Sequence, residues 1–387
     1  MPPATVYDLP TPALLVERRR LEANLDRAQA RAGEQGVALR PHAKTHRSAD
    51  IARMQVDRGA RGITVATVAE ATAFAGAGFD DILVAREVVA PAPLGELADI
   101  AATGGRVGFC VDTIAGANLA SAFLAARGAT LDVLVEVDTG HGRCGVPWDE
   151  PDAPALVAHV AQLPGLAVRG LLTHAGHAYA GPLDGESAAE ARTRIMTQER
   201  DRLLALAVRL GEAGLIDPAN AVLSVGSTPT FSCFENTSAG GFRITEARPG
   251  NYVFHDAQQV ALGSARLEDC ALTCQATVIS LRRHEDGTER FFMDAGKKTL
   301  SSDGGWDLRG FGILLYSPKT MVRNPHAAII ALSEEHGWVD VPGGAIQDVG
   351  DRARIIPNHA CVAVAMAERL FVVEGETVVG EWEVFGC

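Results

Sequence analysis

Residues 39–50 read LRPHAKTHRSAD. Arg40, His42, Lys44, His46 and Arg47 crowd in behind the apolar run GVAL, so Lys44 stands among side chains that are cationic or can become so. A solvated strand end would explain this. A lysine at the mouth of a site would explain it equally, because burial and nearby positive charge favour the neutral, nucleophilic amine. A second segment able to do chemistry is PNHAC, 357–361. His359 and Cys361 are two residues apart, and on a strand that spacing puts both on one face. Imidazole and thiolate together suit Zn²⁺, and two protein ligands suit an open site completed by water or substrate. The plainer reading is a buried histidine beside a core cysteine. A third segment, GSTPT (226–230), combines a glycine, hydroxyl residues and a proline where a helix can begin, and RPGN (248–251) offers another close backbone approach. Such segments cradle phosphate groups, although two ordinary turns would read the same way.

These residues need a frame. Short apolar runs recur at 36–42, 62–66, 81–85, 106–111, 131–137, 168–174, 221–226 and 246–254, with helical patterns such as SADIARMQVDRG and AEATAFAGAG between them. Near-continuous apolar strands alternating with amphipathic helices predict a parallel sheet covered by helices, and eight such units predict a closed (β/α)8 barrel. A doubly wound open sheet is the alternative. Barrel enzymes place their sites at the C-terminal ends of the strands. In this register those ends carry Lys44, Thr67, Arg86, Asp112, Asp138 with His141 and Arg143, His174 with His177 and Tyr179, then GSTPT and RPGN. A lysine after strand one and a phosphate cup after strands seven and eight form the arrangement that holds pyridoxal 5'-phosphate as a Schiff base.

After about residue 265 the pattern changes to strands with little helix, and VEGETVVGEW reads as a hairpin. The expected organisation is a barrel over 18–262 and a β-rich domain carrying the metal ligands over 263–387, joined by residues 1–17, whose TPALLVE is strand-like. At 387 residues, 47% hydrophobic and 21% charged, the chain can bury a large core. A net charge of −13 argues against nucleic acid or an anionic membrane as partner. The N-terminus shows no secretory signal pattern, and no apolar run is long enough to span a bilayer. The seven cysteines are scattered, odd in number and without a CxxC pair, which reads as a reduced, cytoplasmic setting.

TPALLVE, RPHAKTH, GITVATVAEA, VEVDTGHGRCGV, GSTPT, RPGNYVF, EEHG and IPNHAC occur in that order along almost the whole chain. Together they resemble the D-serine dehydratase/D-threonine aldolase family of fold-type III pyridoxal phosphate enzymes, with an alanine racemase-like barrel. The resemblance implies Lys44 as the cofactor lysine. It implies Gly226, Ser227, Thr228, Gly250 and Asn251 around the phosphate, Tyr252 nearby and Arg143 by the cofactor ring. Tyr179 is counted with these cofactor residues. His359 and Cys361 would bind a divalent metal, Zn²⁺ ahead of Mn²⁺ or Mg²⁺, and the chain would form a homodimer. The substrate would be a small D-amino acid with a β-hydroxyl, such as D-serine, D-threonine or 3-hydroxy-D-aspartate. H-x-C at the metal site resembles the dehydratases, whereas the aldolases carry H-x-D there. Lys297 and Lys298 in DAGKKTLSSD lean toward the aldolases. Dehydration to a 2-oxo acid and ammonia is the first reading. Retro-aldol cleavage to glycine and an aldehyde, with His177 as base, is the alternative, and amino-acid racemisation a further one.

Overall fold

The computed structural model describes residues 4–285, 288–317, 321–342 and 347–386. The chain divides into two compact units, one of 28–44 and 51–250, the other of 1–27, 45–50 and 251–386.

The first unit is the barrel. Its strands are β1 Ala38–Leu39, β2 Ile63–Val65, β3 Asp81–Glu87, β4 Arg106–Val111, β5 Leu131–Asp138, β6 Leu166–Thr173, β7 Val222–Val225 and β8 Glu246–Ala247. They hydrogen-bond in the order β1-β8-β7-β6-β5-β4-β3-β2, every pair parallel. A parallel bridge from His42 to Thr64 carries β1 onward to β2 and closes the ring. All eight expected strands are present. The longest expected run, 246–254, is shorter than its apolar character suggested: β8 ends at Ala247, and Asn251–Val253 forms a 3₁₀ turn after Pro249, which cannot donate to a ladder.

Local sequence explains the intervening helices. In Val68–Gly76, Thr67 caps the start by accepting from Glu70 N at 3.1 Å, and Glu70 Oε2 accepts from Ala66 N at 2.6 Å. Gly78, at φ +87°, takes the left-handed conformation that lets the chain turn back into β3. Inside the barrel, Leu83, Cys110, Leu134 and Leu172 from four successive strands form one buried apolar layer. Side chains alternate along a strand, so residues two further on face the same way at the mouth. Asp112 follows Cys110, and Glu136 follows Leu134.

The second unit is built on a 10-stranded sheet. Strand Ala13–Glu17 lies between Leu272–Arg283, antiparallel, and Arg369–Glu374, parallel, so TPALLVE joins this sheet as expected. The predicted hairpin is Arg369–Glu374 with Thr377–Glu383. Two expected assignments change. Residues 251–262 pack with this unit rather than the barrel, because Ala257 belongs to the cluster of Cys270, Leu315 and Ile356, and Asp256 accepts from Ala360 N. Residues 18–27 and 45–50 also fall in this unit.

At the other end of the barrel, the buried Arg40 donates to Glu246 at 2.7 Å and to Asp81 at 2.6 Å. The contacts tie β1 to β8 and β3. Breaking a buried pair leaves uncompensated charge, at a cost of about 3–5 kcal/mol. Arg40→Met is therefore expected to lower unfolding stability by about that amount in urea denaturation. A loss below about 1 kcal/mol, typical of an exposed pair, would show that the cluster does not hold the ring.

Candidate functional site

Lys44 lies in the 3₁₀ turn Ala43–Thr45 immediately after β1, half-buried. His42 and His174 are both held well below the usual histidine range, first by burial and then by the positive field of Lys44, Arg143 and Arg248. The mouth is thus a cationic cluster with two neutral imidazoles in it. Arg248 is buried, and burial lowers even its affinity for a proton. It donates to Ser224 Oγ at 2.5 Å and Thr173 O at 2.6 Å, so one guanidinium pins the ends of β6 and β7 to the chain leaving β8.

The GSTPT segment starts a helix, as expected: Ser227 caps Thr228–Ser232 and accepts from Thr230 N at 3.3 Å. Gly226 is fixed on both sides. Its N–H donates to Glu199 Oε1 at 2.9 Å, and its carbonyl accepts from His174 Nδ1 at 2.5 Å. A Cβ at Gly226 would come within 3.0 Å of Arg248 Cβ. Thr228 Oγ1 is buried and has no partner among the described residues. A buried hydroxyl without a partner costs free energy, so this one fits a ligand acceptor such as a phosphate oxygen. Gly250 ends the barrel unit. Asn251 and Tyr252 are buried and belong to the second unit, where Asn251 Nδ2 donates to Asp256 Oδ2 at 2.5 Å.

Arg143 donates to Glu136 Oε1 at 3.1 Å. After β6, His177 and Tyr179 lie in the turn Gly176–Tyr179. His177 stacks on His141 with ring centroids 6.4 Å apart, and both its ring nitrogens are buried without a partner among the described residues. Asp138 closes its own loop by accepting from the backbone of Gly140, His141 and Gly142, a structural task.

In the second unit the PNHAC segment departs from expectation. The strand ends at Ile356, His359 caps a helix, and Cys361 is the second residue of that helix, Ala360–Ala365. The two side chains meet across a helix start, not along a strand face. They still come within hydrogen-bonding reach. His359 Nδ1 is 2.7 Å from Asp303 Oδ2, the carboxylate–histidine pairing that, where a metal is present, orients the ring so that Nε2 can ligate it. Thr45 Oγ1 lies 3.2 Å from Cys361 Sγ. Burial alone would discourage a proton on His359, but Cys361, Asp256 and Asp303 outweigh it and raise its pKa to about 10. The acids and the thiol thus make positive charge favourable at this spot. Lys297 and Lys298 are exposed, and Lys298 pairs with Glu335 at 2.7 Å, so they do not enter either cluster.

Sequence reasoning passed over Glu136, Glu199 and Asp303. Glu136 was marked by an acid on the lumen parity of β5. Glu199 sits among Ile195, Met196, Leu203 and Leu206 on the buried side of helix Ala188–Glu212, an acid on an apolar stripe. Nothing in the sequence singled out Asp303.

Residues 16–258 match the family described as "Alanine racemase, N-terminal domain", and residues 271–373 match the "Putative serine dehydratase domain". The chain is 33% identical to D-threo-3-hydroxyaspartate dehydratase of Delftia sp. (strain HT23), over 98% of each sequence. It is 34% identical to the D-threonine aldolase of Arthrobacter sp., over 99% of this chain and 95% of that one. Among solved structures, a cysteine-to-alanine mutant of D-threo-3-hydroxyaspartate dehydratase in the metal-free form superposes with a TM-score of 0.87 at 32% identity, covering 99% of this chain and 100% of that one. The barrel, its strand-rich companion and matches along nearly the whole length together place this chain in the alanine racemase N-terminal domain family, in the group that includes the D-serine dehydratases and D-threonine aldolases.

Proposed function

We propose that the protein is a pyridoxal phosphate- and divalent metal-dependent lyase that dehydrates D-β-hydroxy amino acids to a 2-oxo acid and ammonia. One observation carries the choice of dehydration: the metal-type pair is an imidazole and a thiol, His359 oriented by Asp303 with Cys361 within its reach. The relatives named for D-threo-3-hydroxyaspartate and D-serine dehydration, and the metal-free form of one of them, support it.

In this reading Gly226, Ser227, Thr228 and Gly250 hold the cofactor phosphate, with Thr228 Oγ1 donating the hydrogen bond it otherwise lacks. Asn251, Tyr252, Arg143 and Tyr179 complete the cofactor contacts. When bound, pyridoxal phosphate supplies an electron sink for charge developing at the substrate Cα, and a divalent cation supplies Lewis acidity to the β-oxygen. Lys44 would hold the cofactor through its amine, and the same amine, half-buried at the end of β1, would serve as the base for the Cα proton. The neutral His42 and His174 let Lys44 work without competing cationic imidazoles beside it. His359 Nε2 and Cys361 Sγ hold the cation, and a thiolate ligand favours Zn²⁺ over Mn²⁺ or Mg²⁺. The homodimer implied by the sequence resemblance belongs to the same proposal. So does a cytoplasmic setting, supported by six described cysteines, none of which forms a disulfide. No described helix is long and apolar enough to cross a membrane.

Retro-aldol cleavage is the second reading, favoured by the open ring nitrogens of His177, which could accept the β-hydroxyl proton, and by the similarity to a D-threonine aldolase.

Lys44→Ala is expected to abolish both turnover and borohydride trapping of the cofactor on the chain; a trapped adduct in this variant would move the cofactor lysine elsewhere. Thr228→Ala removes one charge-assisted hydrogen bond, worth roughly 1.5–3 kcal/mol, so cofactor affinity should fall on the order of tenfold or more. An unchanged dissociation constant would displace the phosphate from this cup. Chelation is expected to stop turnover while leaving the bound cofactor's absorbance intact, with Zn²⁺ restoring activity at least as well as Mn²⁺. Full activity after chelation would defeat both metal-assisted readings.

A further inference from the structure

The reaction outlined above leaves one buried cluster at the barrel mouth without a task. Glu136 is only 2% exposed. Its Oε1 accepts from Arg143 at 3.1 Å and from Cys144 Sγ at 3.2 Å, while its Oε2 is buried with no donor among the described residues. Glu87 Oε1 is in the same condition. A carboxylate oxygen from each and Cys144 Sγ lie within 4.8 Å of one another, and the two carboxyl groups are within hydrogen-bonding reach.

The backbone is shaped to bring them together. Glu136 is on the lumen parity of β5. In β3 the register slips between Val84, opposite Phe109, and Glu87, opposite Cys110. Such a slip re-aims a side chain, a device common beside active sites.

Two facing carboxylate oxygens, both buried and both lacking a donor, are satisfied by one bridging positive species: a proton or a cation. The surroundings select the proton. Arg143 already neutralises Glu136 at close range, and the buried Arg248 adds to the positive field there. Cys144, which a metal would need as thiolate, is pushed up to about 11, first by burial. The other groups facing the pair are Asp112 after β4 and the buried Cys110 within it.

We propose that Glu87 and Glu136 share a single proton and act together as a positioning device for Arg143. Glu87 donates to Glu136 Oε2, and Glu136 keeps its negative charge for the guanidinium. The positioning role rests on the reading that Arg143 meets the cofactor; the shared proton does not.

Burial and the charge of Glu136 raise the Glu87 pKa from 4.5 to about 7. The group is therefore neutral in the fold where the unfolded chain has already ionised it. This penalty grows as pH rises from the unfolded value to the folded one and is constant above it. Glu87→Gln removes the penalty and supplies a permanent donor to Glu136 Oε2.

The test is infrared difference spectroscopy of the full-length protein, with and without pyridoxal phosphate, across about pH 5 to about pH 8. A protonated-carboxyl stretch should be present at the acid end, fade as pH passes about 7, and be missing in Glu87→Gln. Cofactor affinity should vary with pH over that range in the wild type. It should stay high and lose that variation in Glu87→Gln, and fall on the order of tenfold in Glu136→Gln, which forfeits a charged hydrogen bond to Arg143. Absence of the band from the wild type, or its survival in Glu87→Gln, overturns the shared proton. So does elemental analysis that finds a metal ion lost specifically in Glu136→Gln. If the band behaves as expected but Glu136→Gln binds the cofactor as well as the wild type, the positioning role falls and the reading of Arg143 falls with it.

Discussion

The mouth of the barrel is organised around a buried guanidinium. Arg248 sits where β8 gives out and, among the described residues, hydrogen-bonds only neutral acceptors, Ser224 Oγ, Val225 O and Thr173 O. A charge in that position is tolerable only if nearby acids balance it at longer range, and Glu246, Glu199 and Glu136 do so. The consequences spread outward. The field of Arg248 helps keep His42 and His174 neutral. A neutral His174 donates from Nδ1 to Gly226 O, and Glu199 takes the Gly226 N–H, so the phosphate-type turn is held from both faces. Thr228 is left as the open donor. Removing charge at this one residue would therefore weaken the positive field at two histidines and release the chain ends that set the turn.

The second unit solves a related problem with the opposite sign. Asp256 is fully buried, yet it accepts from Gln259 N at 2.9 Å, capping its own short helix, and from Ala360 N at 2.8 Å, which fixes the start of the helix bearing Cys361. Asn358 spans Asp303 O and Gly310 O and so anchors the chain just before His359. The acids and thiol gathered there are what draw positive charge to His359.

Much of this was legible in the sequence because it depends on period and punctuation. Apolar runs separated by glycine-ended helices gave the strand count, and Ser227 with Pro229 marked a helix start that the fold contains. The hairpin at 369–383 followed from its turn residues. What escaped depends on contacts between distant parts of the chain. The strand reading of PNHAC failed because Asp256, a hundred residues away, accepts the Ala360 N–H and favours a helix there. Residues 251–262 left the barrel because Ala257 found its apolar partners at Cys270 and Ile356. Asp303 gave no local sign of its role, since its partners, His359 and Asn358, lie far along the chain. Lys297 and Lys298 stood out in the sequence yet are exposed, with Lys298 held by Glu335.

Dehydration and retro-aldol cleavage break different bonds of the same substrate, so the products distinguish them. The purified holoenzyme, supplied with Zn²⁺, would be given D-serine, D-threonine and D-threo-3-hydroxyaspartate in turn and its products separated. A dehydratase releases ammonia with the matching 2-oxo acid, pyruvate in the case of D-serine, and that is the expected result. Glycine and an aldehyde from these substrates, with no oxo acid from any of them, would contradict it and make the chain an aldolase.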